Sequence, residues 1–458
     1  NDTERSPFLD KPVVLTPAWE ARNLPNDELN FKGMTMERAN LEISPPHDKY
    51  KLIFLTFVIH GLGTLIPWNM FITAKGYFVK FKMDESYIGY ESSYATNFLS
   101  YLGFAAQVPN LLFNWANVFI QLGGNLTTRI VWSIMIEVVI FIVTVILAMT
   151  DSSSWPGAFF WLTMGTVVAI NMANGVYQNS VFGMVANLPP KYTGAVILGA
   201  NIGGTFASVV SVLSTTFSTS YRTAAIYYFI TAMFVLLVCF DSYFALPLNK
   251  FYRYHEMLRE KEAQKQKTEK GHTGRSYWTV FQQASPQLFN VFMVFFVTLS
   301  VFPSVNSDIK VSDAKNFPIP EKLYVDATCF LTFNICAMLG SLITSWIKWP
   351  KPRYLFIPVV LRIVFIPLFL FCNYQPKNII RILPVYINND WAYWSIGVLM
   401  AFSSGYLSSL AMMYAPSTVK PQHSSIAGMF AAAMLVTGIL AGILFSMLFP
   451  LVVSSVSW

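Results

Sequence analysis

At 458 residues, 54% hydrophobic and 12% charged, the chain carries about half the charge of a soluble globular protein, which argues against a water-soluble enzyme or scaffold. Its 39 Phe, 12 Trp and mean hydropathy of +0.47 point to a polytopic membrane protein. The net charge of +7 sits in loops beside apolar runs, which fits membrane orientation better than a nucleic-acid partner.

Residues 1–48 are polar and Pro-rich, lack the apolar core of a signal peptide, and read as a disordered cytoplasmic tail. Runs of roughly 20 apolar residues, enough to cross ~30 Å of hydrocarbon, follow. They lie at 52–73, 93–116, 129–149, 157–186, 194–217, 223–246, 286–305, 324–347, 354–373, 392–415 and 424–449. A charged cytoplasmic loop, 249–285, separates six spans in residues 49–248 from five in residues 286–458. Its core, Arg253 to Lys270, has the composition of a solvated helix. The expected fold is an all-α polytopic membrane protein of eleven transmembrane helices. They form a 6+5 two-bundle, major-facilitator-like arrangement with a site near the midplane between the bundles.

Lys and Arg are denser in alternate loops: Lys49, Lys51, Arg129, Lys191, the 249–285 loop, Lys348, Lys351, Arg353 and Lys420. That bias places the N-terminus inside and Trp458 outside. The sequons at Asn1 and Asn125 then face the cytoplasm and are expected to stay unglycosylated.

No HExxH, Gly-x-Ser-x-Gly, P-loop or CxxC signature occurs, and the chain is not expected to be an enzyme or to hold a cofactor or metal. Cys239, Cys329, Cys336 and Cys372 all fall in apolar runs and read as small core residues. Polar side chains at membrane depth are more informative, because each must find a partner or a watery path. Span one combines His60, Gly61, Gly63, Thr64, Pro67, Trp68 and Asn69, a poor surface for lipid and a good one for a solute. Span two carries Asn97, Gln107 and Asn110 around Pro109. Span four carries Asn171, Asn174, Gln178, Asn179 and Asn187, and span five a small-residue face at Gly199, Asn201, Gly203 and Gly204. One such amide is as well explained by interhelical bonding; the set fits a polar pathway for neutral, hydrogen-bonding solutes. Glu137 and Arg362 are the two buried charges. They are expected to pair with each other, or Glu137 with Arg129 two turns below.

The run Gly61-Leu-Gly-Thr-Leu-Ile-Pro-Trp-Asn69 resembles the first transmembrane helix of the equilibrative nucleoside transporters. So do Phe302-Pro303, Cys329-Phe-Leu-Thr-Phe-Asn334, Arg362 to Asn373, Gly405 to Leu410 and Val419-Lys-Pro421 in later spans. The resemblance implies that Leu65, Trp68, Gln107, Asn110, Gln178, Phe302, Phe330 and Asn334 bind substrate, with Gln178 at the base. Asn69, Arg129, Glu137, Gly199, Gly204 and Arg362 would serve structure or gating. The sequence departs from the family pattern after Asn334. Ala337 and Ser341 stand where an aspartate and an arginine are usual, and that pair would hold the ribose.

The expected function is facilitative transport of nucleosides, and of nucleobases, by alternating access. The alternatives are a transporter of another small neutral solute on the same fold, or a receptor-like relative that does not transport. The expected partners are the solute and the lipid bilayer, with no nucleic acid and no obligate protein. The tail leaves plasma and endolysosomal membranes open, and the plasma membrane is the first choice.

Overall fold

The computed structural model describes residues 46–90, 93–96, 98–120, 125–217, 220–269, 277–313, 317–376 and 379–455. The tail to residue 45, Asn1, Asn97 and Trp458 lie outside the described residues. The long elements are all helices: α1 (Leu52–Thr73), α2 (Phe98–Ile120), α3 (Leu126–Met149), α4 (Pro156–Val185), α5 (Pro190–Phe217), α6 (Tyr221–Ala245) and α7 (Lys250–Glu269). After them come α8 (Tyr277–Val301), α9 (Thr332–Ile343), α10 (Phe356–Leu361), α11 (Phe365–Phe371), α12 (Asp390–Ser417), α13 (Ser424–Ser446) and α14 (Phe449–Ser455). Among the described residues the only extended pairings are two isolated bridges, Ile309 with Tyr374 and Cys372 with Ile387.

The helix starts follow their sequences. Asp48 accepts from the amides of Ile53 (3.0 Å) and Phe54 (3.1 Å) and from the Tyr192 hydroxyl (3.1 Å), fixing the entry of α1 against the start of α5. The Asn125 Oδ1 accepts from the Thr128 amide, and the Asn389 Oδ1 from those of Trp391 and Ala392.

Among the described residues, ten helical segments are long and apolar enough to cross a bilayer. The second expected span, α2, has 23 residues. It stands apart from those ten because Gln107, Asn110, Asn114 and Asn117 lower its apolarity. The charged stretch after residue 249 is α7, and it packs on the turn Pro421–His423 just before α13.

In the first half α1 lies along α5, α2 and α3 pack on α4, and α6 packs on α3 and α1. The α1–α5 seam depends on glycine. A Cβ on Gly199 would overlap the Val58 carbonyl, and one on Gly61 the Val196 carbonyl. In the second half α8 lies along α13 and α9 along α12. Gly438 and Gly442 admit the Phe292 and Phe296 carbonyls, and Gly405 faces the Ala337 carbonyl. The halves meet where α13 touches α2 and α4, and where α5 touches α9 and α12.

Candidate functional site

A chain of side-chain amides joins α2, α3, α4 and α13. The Arg129 guanidinium donates to Asn117 Oδ1 (3.1 Å), and Asn117 Nδ2 donates to Asn179 Oδ1 (2.8 Å). Asn179 Nδ2 donates both to Asn114 Oδ1 and to the main-chain carbonyl of Met429, each at 2.8 Å. Asn114 Nδ2 then donates to Gln178 Oε1 (3.3 Å) and Asn110 Oδ1 (3.5 Å). All five amides are buried. Desolvated amides are tolerable only when paired, and each link supplies that pairing. Of the expected site residues, Asn110, Gln178 and Arg129 belong to this chain. Gln107 is also buried, and none of these bonds reaches it.

On α1, Leu65, Trp68 and Asn69 are half-buried, whereas their neighbours Ile66 and Pro67 are sealed. In the second half Phe302 stacks on Phe333, with centroids 3.8 Å apart, and meets Phe330 edge-on at 5.8 Å. Phe330 lies in a π-helical turn, Asp326–Leu331, that leads into α9. Asn334 donates to Ser208 Oγ (2.8 Å) and to the Phe330 carbonyl (2.9 Å), and a Cβ on Gly204 would overlap its Oδ1. Asn334 and Gly204 thus form part of the contact between α9 and α5.

Ala337 and Ser341 are 2% and 1% exposed. Ser341 Oγ accepts from Asn201 Nδ2 (2.6 Å) and donates to the Gly405 carbonyl (3.2 Å). Its hydroxyl is fully used by α5 and α12, and neither residue supplies a charge.

Glu137 and Arg362 do not pair with each other. Arg362 occupies the break between α10 and α11 and donates to the Val294 and Met400 carbonyls, Thr298 Oγ1 and Ser403 Oγ, at 2.8–3.2 Å. Main-chain carbonyls and hydroxyls satisfy it, so it needs no carboxylate. Glu137 is fully buried and neither oxygen has a hydrogen-bond partner. Arg129 is turned to Asn117 instead. A buried polar group without a partner costs about 1–3 kcal/mol. Glu137→Leu is therefore expected to raise the melting temperature of purified protein, and a variant that melts lower would show that a partner holds Glu137.

Nearby, His60 Nδ1 bonds the Tyr177 hydroxyl (2.8 Å), which fills the space beside Gly63. Cys239, Cys329 and Cys372 are buried, Cys336 is half-buried, and all four are free thiols. A cavity of about 340 Å³ opens among Asn187, Pro190, Arg259, Met413 and Pro421, between the α4–α5 turn, α7 and the α12–α13 turn. A second, about 220 Å³, lies among Met70, Phe206 and Tyr227 of α1, α5 and α6. None of the residues expected to bind substrate lines either one. Asn114, Asn117 and Ser208 are polar participants that sequence reasoning did not name. Spacing held the signal for the first two: residues 107, 110, 114 and 117 recur on one helix face.

The "Nucleoside transporter" family model matches residues 164–451. Human "Equilibrative nucleoside transporter 1" is 31% identical over 457 residues, covering 89% of this chain and 99% of the relative. Human "Equilibrative nucleoside transporter 2" is 32% identical over 458 residues, covering 88% and 98%. Rat "Equilibrative nucleoside transporter 3" is 29% identical over 425 residues, covering 86% and 87%. These relatives are named as transporters, not enzymes. With a family model spanning more than half its length and relatives at this identity along most of it, the chain belongs to the nucleoside transporter family.

Proposed function

We propose that this protein is a facilitative transporter of nucleosides and nucleobases that works by alternating access, in eleven spans. Helices α1–α6 rock against α8–α14, with the N-terminus and α7 cytoplasmic and the plasma membrane as its site. The solute's base would stack near Trp68, with Phe302 and Phe330 opposite and Gln178 and Asn110 at its polar edge. The observation that carries this reading is that Leu65, Trp68, Phe302, Phe330 and Asn334, from both halves, all stay half-buried, while Ile66, Pro67, Val301 and Cys329 beside four of them are sealed. The halves bind each other through Asn179 with Met429, Trp115 with Thr437, Asn201 with Ser341 and Asn334 with Ser208.

Trp68→Ala tests the site. Base–aromatic stacking contributes about 1–3 kcal/mol, so uptake should fall about tenfold with surface expression intact. Unchanged kinetics would make Trp68 a packing residue and move the site elsewhere. The uncharged Ala337 and Ser341 favour, as a second reading, a carrier of another small neutral solute on the same fold.

A further inference from the structure

We infer that Asn114 is a positioning residue that turns the amides of Gln178 and Asn110 so that both present N–H donors to the solute, and that the transporter therefore selects base edges carrying a carbonyl. The inference rests on the reading that Gln178 and Asn110 touch the base.

The direction of each amide follows from two fixed points in the chain. Arg129 can only donate, so Asn117 must turn its oxygen to it and its nitrogen to Asn179. The Met429 carbonyl can only accept, so Asn179 must turn its nitrogen toward it, as it does. The same Asn179 nitrogen meets Asn114, whose oxygen must face it. Asn114 is left with its two N–H groups, which take up Gln178 Oε1 and Asn110 Oδ1. A donor-only group and an acceptor-only group thus agree on one polarity for the whole chain. Gln178 Nε2 and Asn110 Nδ2 have no partner among the described residues, and they are the two groups the chain leaves over for a ligand.

A pair of neutral donors matches a carbonyl oxygen and clashes with an exocyclic amine, which is itself a donor. Uridine should then be preferred over cytidine, and inosine over adenosine. One mismatched hydrogen bond of about 1 kcal/mol gives a factor of about five in uptake efficiency for each pair.

Uptake of the four labelled nucleosides, measured for the full-length protein with surface expression quantified, tests this. Asn114→Asp replaces the two donors by acceptors. Its carboxylate can take N–H groups from Asn179, Gln178 and Asn110 at once, which turns the last two residues' oxygens outward. Both preferences should invert. Asn114→Leu removes the tether, and both ratios should collapse toward one. If the aspartate variant does not reach the surface, the leucine variant still reads the ratio. A loss of packing alone would lower all four uptakes together and leave the ratios unmoved, and that result overturns the inference. So does a wild type that prefers the amines. Gln178→Ala separates the underlying reading: if it changes neither uptake nor selectivity, Gln178 does not touch the base and the site itself is misplaced.

Discussion

Arg362→Met should lower the stability of the purified protein by about 2–4 kcal/mol, the summed effect of four lost interhelical hydrogen bonds at about 0.6–2 kcal/mol each, less the relief of desolvating a charge. The guanidinium joins the α10–α11 break to α8 through Val294 and Thr298 and to α12 through Met400 and Ser403. Thr298 in turn contacts Ser404 (3.0 Å), so the change leaves a buried polar cluster without its common donor. Arg362→Lys should recover only part of the loss, because an ammonium on a flexible stem cannot span the four acceptors as a planar fork does. Thermal melts of the detergent-purified variants read this directly. A methionine variant that melts with the wild type would mean that packing of α8 on α13, not Arg362, holds the second half together.

Ribosides should gain little over their free bases. Family resemblance places a charged pair for the ribose at positions 337 and 341, and here Ala337 and Ser341 are sealed against α12 and α5. A charge-assisted hydrogen bond is worth about 1.5–3 kcal/mol, so its absence should weaken ribosides by roughly tenfold or more and affect free bases less. Competition of adenosine and adenine, or uridine and uracil, for the same uptake measures the ratio. Near-equal inhibition is expected. A strong preference for ribosides would mean that other residues hold the sugar, with Asn334 and Asn201 the first to examine. Reinstating an arginine at 341 is not expected to help, since its bulk would meet the Asn201–Ser341–Gly405 bonding that ties α5, α9 and α12 together.

Much of the fold was legible in hydropathy. The run at 157–186 is α4 almost residue for residue, and 52–73 is α1. Where polar residues sit inside a helix, the boundaries drifted. Helix α8 begins at Tyr277, nine residues before the run that marked it, because Thr279, Gln282, Gln283 and Ser285 dilute its first turns and Pro286 lies inside it. The ninth run breaks at Arg362, where a single-turn 3₁₀ segment interrupts an otherwise apolar stretch.

The amides were legible as a set, but only half of their ladder was read. Asn114 and Asn117 extend the 107–110 face by one and two turns, and Asn171, Asn174 and Gln178 repeat that spacing on α4. The charges misled for a physical reason. Arg362 is satisfied largely by main-chain carbonyls and small hydroxyls, whose availability depends on how helices cross and not on residue identity. The same holds for Ser341 and Asn201, which meet only because two glycine-lined seams bring α5, α9 and α12 within hydrogen-bond range.

The most direct test of the central claim is uptake of labelled uridine into sealed vesicles containing only the purified protein and lipid, with no ion gradient. The account predicts saturable entry that levels off at the outside concentration, unchanged by imposed sodium or pH gradients and reduced about tenfold by Trp68→Ala. No entry above protein-free vesicles, or accumulation past equilibrium that requires an ion gradient, would contradict it.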